Sequence, residues 1–253
     1  MQHPSLPRIA VVGPGRLGTA LHRVLTASGI DAGLAPLGRG ATADHADLVL
    51  ICVPDRAIAD AAALIAPGRL VVHTSGAGSI DLAAPHARRA VLHPLISVPS
   101  GDASLEGACA AIRATDPADA DLLRRLAEAL GMLPIDVAEG DRTAYHAAAS
   151  LASNALVALQ VAAAELAATA GVPASALQPL ARAALAQVGA SGAAALTGPA
   201  ARGDWTTVAA QRDAVEARTP HLLPLFDATT NACAAIAATA STPTPSSFSS
   251  EAS

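Results

Sequence analysis

The sequence predicts an α/β protein in which a doubly wound, mostly parallel sheet is followed by an all-α C-terminal domain. Up to about residue 139, short apolar runs of strand length alternate with helical stretches, a pattern typical of βαβ units. After about residue 140 the strand-like runs end and long Ala/Leu segments follow. A glycine turn stands between the first apolar run and the first helical stretch, as in dinucleotide-binding folds.

The first half reads as seven buried strands with helices between them. Asp116 is a suitable N-cap for one helix, and Gly29 and Gly131 are suitable helix stops. The predicted strands are 8–12, 30–37, 48–53, 70–73, 90–93, 109–113 and 134–137, of which 30–37 has the poorest pattern. The predicted helices are 16–28, 56–65 and 117–130.

Four apolar helices are predicted in the second half, over residues 141–170, 174–188, 205–217 and 222–238. We therefore divide the chain into a dinucleotide-binding domain (1–139) and a helical substrate or dimerisation domain (140–240). Residues 241–253, rich in Ser, Thr and Pro, are predicted to be a disordered tail.

Composition excludes several classes of partner. The net charge is −5 and there is no basic patch, so we expect no nucleic acid. The cysteines Cys52, Cys109 and Cys233 form no CxxC pair, which indicates a reducing compartment and no metal site.

One apolar stretch, 147–172, is long enough to span a membrane, but it contains Asn154, Gln160 and Glu165. We interpret it as a buried or interface helix. With no signal-peptide pattern at the N-terminus, we expect a cytoplasmic protein without a membrane partner.

The glycine turn reads Gly13-Pro14-Gly15-Arg16-Leu17-Gly18 and has the GxGxxG spacing. Gly13 would permit the tight turn, Gly15 would let the backbone approach a pyrophosphate, and Gly18 would let the helix pack on the strand. Free N–H groups and the helix dipole favour an anion at this point. The sequence therefore predicts a Rossmann-type dinucleotide site.

Arg39 decides the predicted cofactor. In this fold an acid about 20 residues after the glycines accepts the ribose hydroxyls of NAD, whereas an arginine accommodates the 2′-phosphate of NADP. Arg39 occupies that region and no acid does. NADP is therefore predicted, with NAD possible, and the alternative is that Arg39 is a solvated turn residue.

Other loops follow the ends of predicted strands. Val53 and Pro54 follow one strand, and Thr74, Ser75 and Gly76 follow the next, where small residues suit a nicotinamide ribose. We count these five with the cofactor site. His73 and His93 also end strands; each is either a core histidine satisfied by the backbone or a substrate contact.

A polar stripe opens the long helix: His146, Ser150, Ser153 and Asn154 recur at spacings of four, three and one. Either a substrate cleft or a hydrogen-bonded helix contact would give such a stripe its partners. His146 is the best general acid, with Ser150 and Asn154 as further catalytic candidates. Tyr145 lies one residue off the stripe and is less favoured.

Residues 195–204 form a loop rich in Gly and Pro that contains Arg202. The guanidinium would clamp a substrate carboxylate, since arginine binds carboxylates bidentately. A structural pair between Arg202 and Asp204 is the competing interpretation.

From about residue 8 to 238 the chain resembles a bacterial family of Rossmann-like proteins described as NADP-dependent oxidoreductases, with a helical C-terminal domain of uncharacterised function. The motifs that carry the resemblance are the glycine turn and residues 53–55, 73–76, 93–95, 145–149, 153–154, 196–199 and 202–204. More distantly it is similar to pyrroline-5-carboxylate reductase, ketopantoate reductase and the β-hydroxyacid dehydrogenases.

These relatives imply hydride transfer to a small C=O or C=N substrate, often in a dimer joined through the helical domains. The last two groups use a catalytic lysine, and this chain has none. We therefore expect an NADP-dependent reductase of a small, carboxylate-bearing carbonyl or imine. The alternatives are a non-catalytic dinucleotide sensor or assembly protein and, less favoured, a methyltransferase.

Overall fold

The computed structural model describes residues 6–240, which form two compact units, one ending at Asn154 and one beginning at Ala155. The predicted tail 241–253 lies outside the described residues. The first unit holds β1 (Ile9–Val12), α1 (Arg16–Ala27), β2 (Leu48–Ile51), α2 (Ile58–Ala63), β3 (Leu70–His73), β4 (Arg89–Leu95), β5 (Cys109–Ala114), α3 (Pro117–Ala129), β6 (Leu133–Asp136) and α4 (Arg142–Ser150).

The six strands lie in sequence order, and every neighbouring pair is parallel except β4 and β5, which are antiparallel. Alternate strand residues enter two separate cores, as the two-residue period of a strand requires. Ile9, Leu50 and Val72 pack in the core that includes residues of α1 and α3, whereas Val49 and Val71 pack in the core that includes residues of α2. Helices thus cover both faces, and the predicted doubly wound sheet is confirmed.

The predicted strand 30–37 is wrong, because only Leu37 pairs, in a single parallel bridge to Val12. Gly33 has a positive φ of 71° and Pro36 lacks an N–H, so neither can continue a ladder. The segment still fixes the topology. The segment lies on the side of β1 away from β2, so the strand order changes direction at β1. Such folds bind ligands at the carboxyl end of the strand where this change occurs.

The other predicted elements of the first unit form within a few residues of their expected bounds. Asp116 caps α3 by accepting a hydrogen bond of 2.8 Å from the Ala118 N–H, and Gly29 and Gly131 have φ of 72° and 76°. The predicted helix 56–65 is shorter: a 3₁₀ turn over Asp55–Ala57 precedes α2.

Every regular element in the described part of the second unit is a helix. It contains α5 (Leu156–Thr169), α6 (Gln178–Ser191), the short α7 (Pro199–Arg202), α8 (Trp205–Arg218) and α9 (Leu223–Ala240). A π-helical segment, Leu151–Ala155, joins α4 to α5. The sequence places the domain boundary at residue 139, whereas the first compact unit extends to Asn154. This unit includes α4, whose side chains hydrogen-bond to the rest of the same unit.

The helical stretch Glu139–Thr169 is long and apolar enough to cross a membrane by length and composition, and its apolar window is not buried in the chain. Val157 and Val161, four residues apart on α5, are 63% and 62% exposed. Burial inside the chain is therefore wrong as an explanation of this stretch, and an interface with a partner stays a prediction.

Candidate functional site

Two glycines of the turn are required by the protein's own packing. Gly13 has φ of 115° and donates its N–H to the Leu37 carbonyl at 2.8 Å. A Cβ on Gly13 would lie 2.3 Å from the Cys52 carbonyl oxygen, and one on Gly18 would lie 1.9 Å from the Gly13 carbonyl oxygen. Only glycine lets the turn curl against β2 and lets α1 start against the turn.

Gly15 differs, because a Cβ there would meet nothing within 4 Å. It is the N-cap of α1, with extended backbone (φ −74°), no side-chain cap and no acid in the first turn. Several N–H groups of that turn therefore lack a helical partner and lie at the positive end of the helix dipole. The space beside Gly15 is empty because glycine has no side chain, and unpaired N–H donors lie next to it. Together they suit a phosphate.

A cleft of about 550 Å³ opens beside this turn. Among the predicted cofactor residues it is lined by Gly13, Pro14, Gly15, Arg39, Val53 and Pro54. Arg16, Leu17 and Gly18 lie behind it in the first turn of α1. Thr74, Ser75 and Gly76 do not line this cleft.

The cleft contains polar residues that sequence reasoning missed. Arg56 and Asp60 line it from the turn after β2 and from α2, with Ala57, Ala61 and Leu64 beside them. The signal was present in the sequence, since these five positions recur at the spacing of one helix face directly after a strand.

The loop after β3 is buried, and its hydroxyls have protein partners. The Thr74 hydroxyl donates to the Ile51 carbonyl, while Ser75 Oγ donates to Asp55 at 2.8 Å and accepts from the Gly78 N–H at 2.8 Å. Because the strand order is β2, β3, β4, this loop lies between the cleft that opens after β2 and the end of β4.

Arg142, at the start of α4, holds the same loop and was missed by the sequence analysis. Its buried guanidinium donates to the carbonyls of Ser75 (2.6 Å), Gly76 (3.0 Å) and Gly78 (2.9 Å). Burial lowers the pKa of Arg142, and the nearby Glu139 carboxylate opposes that shift. No local pattern marks this arginine, because its partners are more than 60 residues away.

Two imidazoles converge on Gly76. A Cβ at this position would lie 2.6 Å from His146 Nδ1 and 2.9 Å from His93 Nε2. The rings of His93 and His146 are 6.3 Å apart, centroid to centroid. Glycine here lets both histidines reach the loop that follows β3.

The His93 ring is also bonded to Tyr145, Nδ1 to hydroxyl, at 2.8 Å. Burial first, and then the charges of His146 and Arg142, lower the pKa of His93 to about 4. Burial raises the pKa of Tyr145. Near neutral pH the pair is therefore an uncharged imidazole hydrogen-bonded to a protonated phenol.

His73 behaves differently from His93. It is fully buried, its Nε2 is 3.0 Å from the Ser79 carbonyl, and its Nδ1 accepts from the Ser75 N–H. Burial lowers its pKa. Both ring nitrogens thus have backbone partners, which matches the core-histidine interpretation.

A second cavity of about 610 Å³ lies beside the two converging imidazoles and contains the predicted polar stripe. His146, Ser150, Ser153 and Asn154 all line it, and so do His93 and Tyr145. The apolar part of its wall comes from Leu95, Ile96, Ala148, Ala149 and Ala152.

The stripe continues across the π-helical segment, where Ser153 Oγ donates to the Ala149 carbonyl at 2.8 Å. Such segments recur at functional sites. The spacing in the sequence predicts a regular helix and carries no signal for the extra residue that the π turn accommodates.

Arg202 lies in the second unit, where its guanidinium donates to the Thr197 carbonyl. Asp204 caps α8: it accepts from the Thr207 N–H (3.1 Å) and hydroxyl (2.7 Å), which lower its pKa together with the charge of Arg202. Among residues 6–240 no ion pair joins Arg202 to Asp204.

The sheet topology, the reversal at β1 and the glycine turn define a Rossmann-like domain followed by a helical domain. Residues 108–233, just under half of the chain, match the profile of the domain of unknown function DUF2520. No curated protein sequence matches the chain.

Solved structures share this fold over most of the chain. BF3122 from Bacteroides fragilis, provisionally assigned as an NADP oxidoreductase, is 21% identical with a TM-score of 0.79, over 91% of this chain and 99% of that one. Protein TM1727 from Thermotoga maritima is 23% identical (TM-score 0.74; 92% and 99%). An imine reductase from Myxococcus stipitatus, in complex with NADP⁺, is 17% identical (TM-score 0.65; 93% and 95%). These similarities confirm the fold that the sequence resemblance implies.

Proposed function

We propose that this protein is an NADP-dependent oxidoreductase that reduces a small carbonyl or imine. The observation that carries the proposal is the open space and free N–H groups at Gly15, in a cleft that Arg39 also lines. Gly13–Gly15 would hold the pyrophosphate and Arg39 the 2′-phosphate. The similar fold of an NADP⁺-bound imine reductase supports this choice of class.

The bound cofactor would supply a hydride, and the chain's own residues would supply position and proton. The second cavity suits a small substrate, because its lining combines apolar side chains with a few polar groups. His146 would donate or orient the proton at the reacting oxygen or nitrogen, and Ser150 and Asn154 would polarise the reacting group by hydrogen bonding. The Tyr145 hydroxyl, which lines the same cavity, would be a second candidate donor of this proton.

Arg202 is proposed to anchor a carboxylate on the substrate, from the same chain or from a partner subunit. One guanidinium nitrogen donates to the Thr197 carbonyl, and the exposed side chain has further donors. Loss of this arginine should raise KM for a carboxylate-bearing substrate and leave its uncharged analogue unaffected. Equal effects on both substrates would contradict the anchoring role.

We further propose a soluble, cytoplasmic homodimer in which the exposed apolar face of α5 is covered by a second copy. Side chains such as Val157 and Val161 would otherwise remain in water at a cost of about 25 cal/mol per Å². Size-exclusion chromatography coupled to light scattering should give twice the mass of one chain. Val157→Asp with Val161→Asp should give monomers; binding of the wild-type chain to phosphatidylcholine vesicles would instead indicate a membrane partner.

The cofactor assignment is tested by titrating NADP⁺ and NAD⁺ against the wild type, Arg39→Ala and Arg125→Ala. Arg125 is a matched control, because it is exposed in the same unit and lies on α3, away from the cleft. Arg39→Ala should lose the preference for NADP⁺, and Arg125→Ala should keep it. Tighter NAD⁺ binding by the wild type would overturn the assignment.

Turnover is tested by following NADPH absorbance with a panel of 2-keto acids and cyclic imines. With a confirmed substrate, His146→Ala should lower kcat, and activity close to wild type would remove His146 from proton transfer. Binding of NADPH without oxidation by any member of a broad panel would favour a dinucleotide sensor.

A further inference from the structure

The arginines of this chain divide into those with a partner and those without. Most of them, such as the buried Arg142 or the Arg88–Asp119 pair, donate to a carbonyl or a carboxylate. In the part of the chain that the structure describes, the guanidiniums without a hydrogen bond or ion pair are those of Arg16, Arg39, Arg56, Arg125 and Arg182. A free guanidinium is a donor fork that is available to a ligand.

Two of these five free guanidiniums line the cleft beside the glycine turn, and a third lies next to that turn in sequence. Arg39 and Arg56 both line it, and Arg16 opens α1 directly after Gly15. Like charges that share one cleft repel each other unless an anion lies between them. Two arginines that line one cleft without protein partners therefore point to a ligand that carries negative charge.

The segments that carry Arg39 and Arg56 flank the glycine turn. Arg39 follows Leu37, whose bridge lies on one side of β1, and Arg56 follows β2, which pairs on the other side. On the same helix face as Arg56, residues Ala57, Ala61 and Leu64 line the cleft with apolar atoms that suit an adenine ring. The cleft thus offers an apolar wall beside two free guanidiniums.

We infer that Arg56 is a second ligand of the 2′-phosphate, which it grips together with Arg39, and that this pair sets the specificity of the cleft for 2′-phosphorylated adenine nucleotides. The inference rests on the proposed function, because it assumes that the cleft takes a dinucleotide. Guanidinium and phosphate form charge-assisted, often bidentate hydrogen bonds, so two arginines distinguish NADP from NAD more strongly than one.

Asp60 lines the same cleft four residues after Arg56, and it makes a counter-test possible. Its carboxylate would repel a 2′-phosphate held by Arg56, whereas an acid that accepts the ribose hydroxyls would favour NAD. Under our inference Asp60→Asn strengthens binding of the 2′-phosphorylated nucleotide.

The experiment is isothermal titration of adenosine 2′,5′-bisphosphate and adenosine 5′-monophosphate into the wild type, Arg56→Ala, Asp60→Asn and the control Arg125→Ala. Arg56→Ala should weaken bisphosphate binding roughly tenfold or more and change monophosphate binding less than about twofold. The bisphosphate difference should shrink in high salt, and Arg125→Ala should match the wild type.

Equal losses for the two nucleotides would overturn the inference, because they would indicate that Arg56 stacks on adenine. Unchanged bisphosphate binding in Arg56→Ala, or weaker bisphosphate binding in Asp60→Asn, would overturn it as well. NADP⁺ is titrated into the same four proteins to separate the two proposals. If the wild type binds NADP⁺ and Arg56→Ala binds it equally well, only the inference fails; if the wild type binds no NADP⁺, the proposed function fails too.

Discussion

Two glycines of one turn should respond in opposite ways to the same substitution. A methyl group on Gly18 would lie 1.9 Å from the Gly13 carbonyl oxygen, and one on Gly15 would meet nothing within 4 Å. Gly15→Ala should therefore leave folding intact and abolish cofactor binding. Gly18→Ala should destabilise the protein before any ligand is considered.

The magnitude follows from the distances. Ordinary contacts begin at 3.4 Å, so the methyl group in Gly18→Ala is about 1.5 Å too close to a backbone atom that the Gly13–Leu37 hydrogen bond holds in position. Such overpacking costs up to about 3 kcal/mol, offset by roughly 1 kcal/mol of helix propensity. A net loss of about 2 kcal/mol lowers Tm by roughly 4–8 °C.

Gly15 has an extended backbone that alanine adopts without strain, so Gly15→Ala should be neutral or gain about 0.4–1 kcal/mol. The assay combines thermal unfolding by circular dichroism with calorimetric titration of NADP⁺. Equal destabilisation by the two substitutions would refute the packing argument. Full NADP⁺ binding by Gly15→Ala would refute the phosphate site at this glycine.

Three further predictions concern stability. The pKa of His93 falls from 6.5 to about 4 on folding, so the unfolded state binds more protons between these two pH values. The stability that the neutral His93 ring contributes is therefore complete above pH 6.5 and is lost as the pH falls towards 4. Between pH 4 and 7 the free energy of unfolding, measured with denaturant, should change less with pH in His93→Gln than in the wild type. An unchanged pH dependence would contradict this prediction. Arg142→Ala should cost about 3 kcal/mol or more in urea unfolding, since three carbonyls, two of them buried, lose their donor, with a smaller loss for Arg142→Lys. Asp116→Ala should cost about 1 kcal/mol while Asp116→Asn, which keeps a capping oxygen, costs little; equal losses would exclude the cap as the cause.

Much of the fold was predictable because its signals are local. The runs at 48–53 and 70–73 are short, apolar and bounded by turn residues, and they form β2 and β3. The segment 30–37 shows the limit of such reasoning: strand-like composition did not reveal that Gly33 and Pro36 would reduce it to one bridge.

The candidate site was predictable where its residues share one local pattern. The spacing from His146 to Asn154 brought four side chains to one cavity, because a helix repeats every 3.6 residues. The same spacing rule made Tyr145 a less favoured candidate. Its hydrogen bond to His93, which is 52 residues away in sequence, could not be predicted from a local pattern.

By itself, the sequence determined the strand and helix order, the glycine turn and the absence of a lysine from any mechanism. Tertiary structure decided which arginines are free to bind a ligand. Arg142 donates to three carbonyls that are distant in sequence, while Arg39 and Arg56 line one cleft without protein partners. The physical reason is that backbone geometry repeats over a few residues and is written locally. Partners across strands depend on which chain segments the sheet brings together, and no local pattern records them.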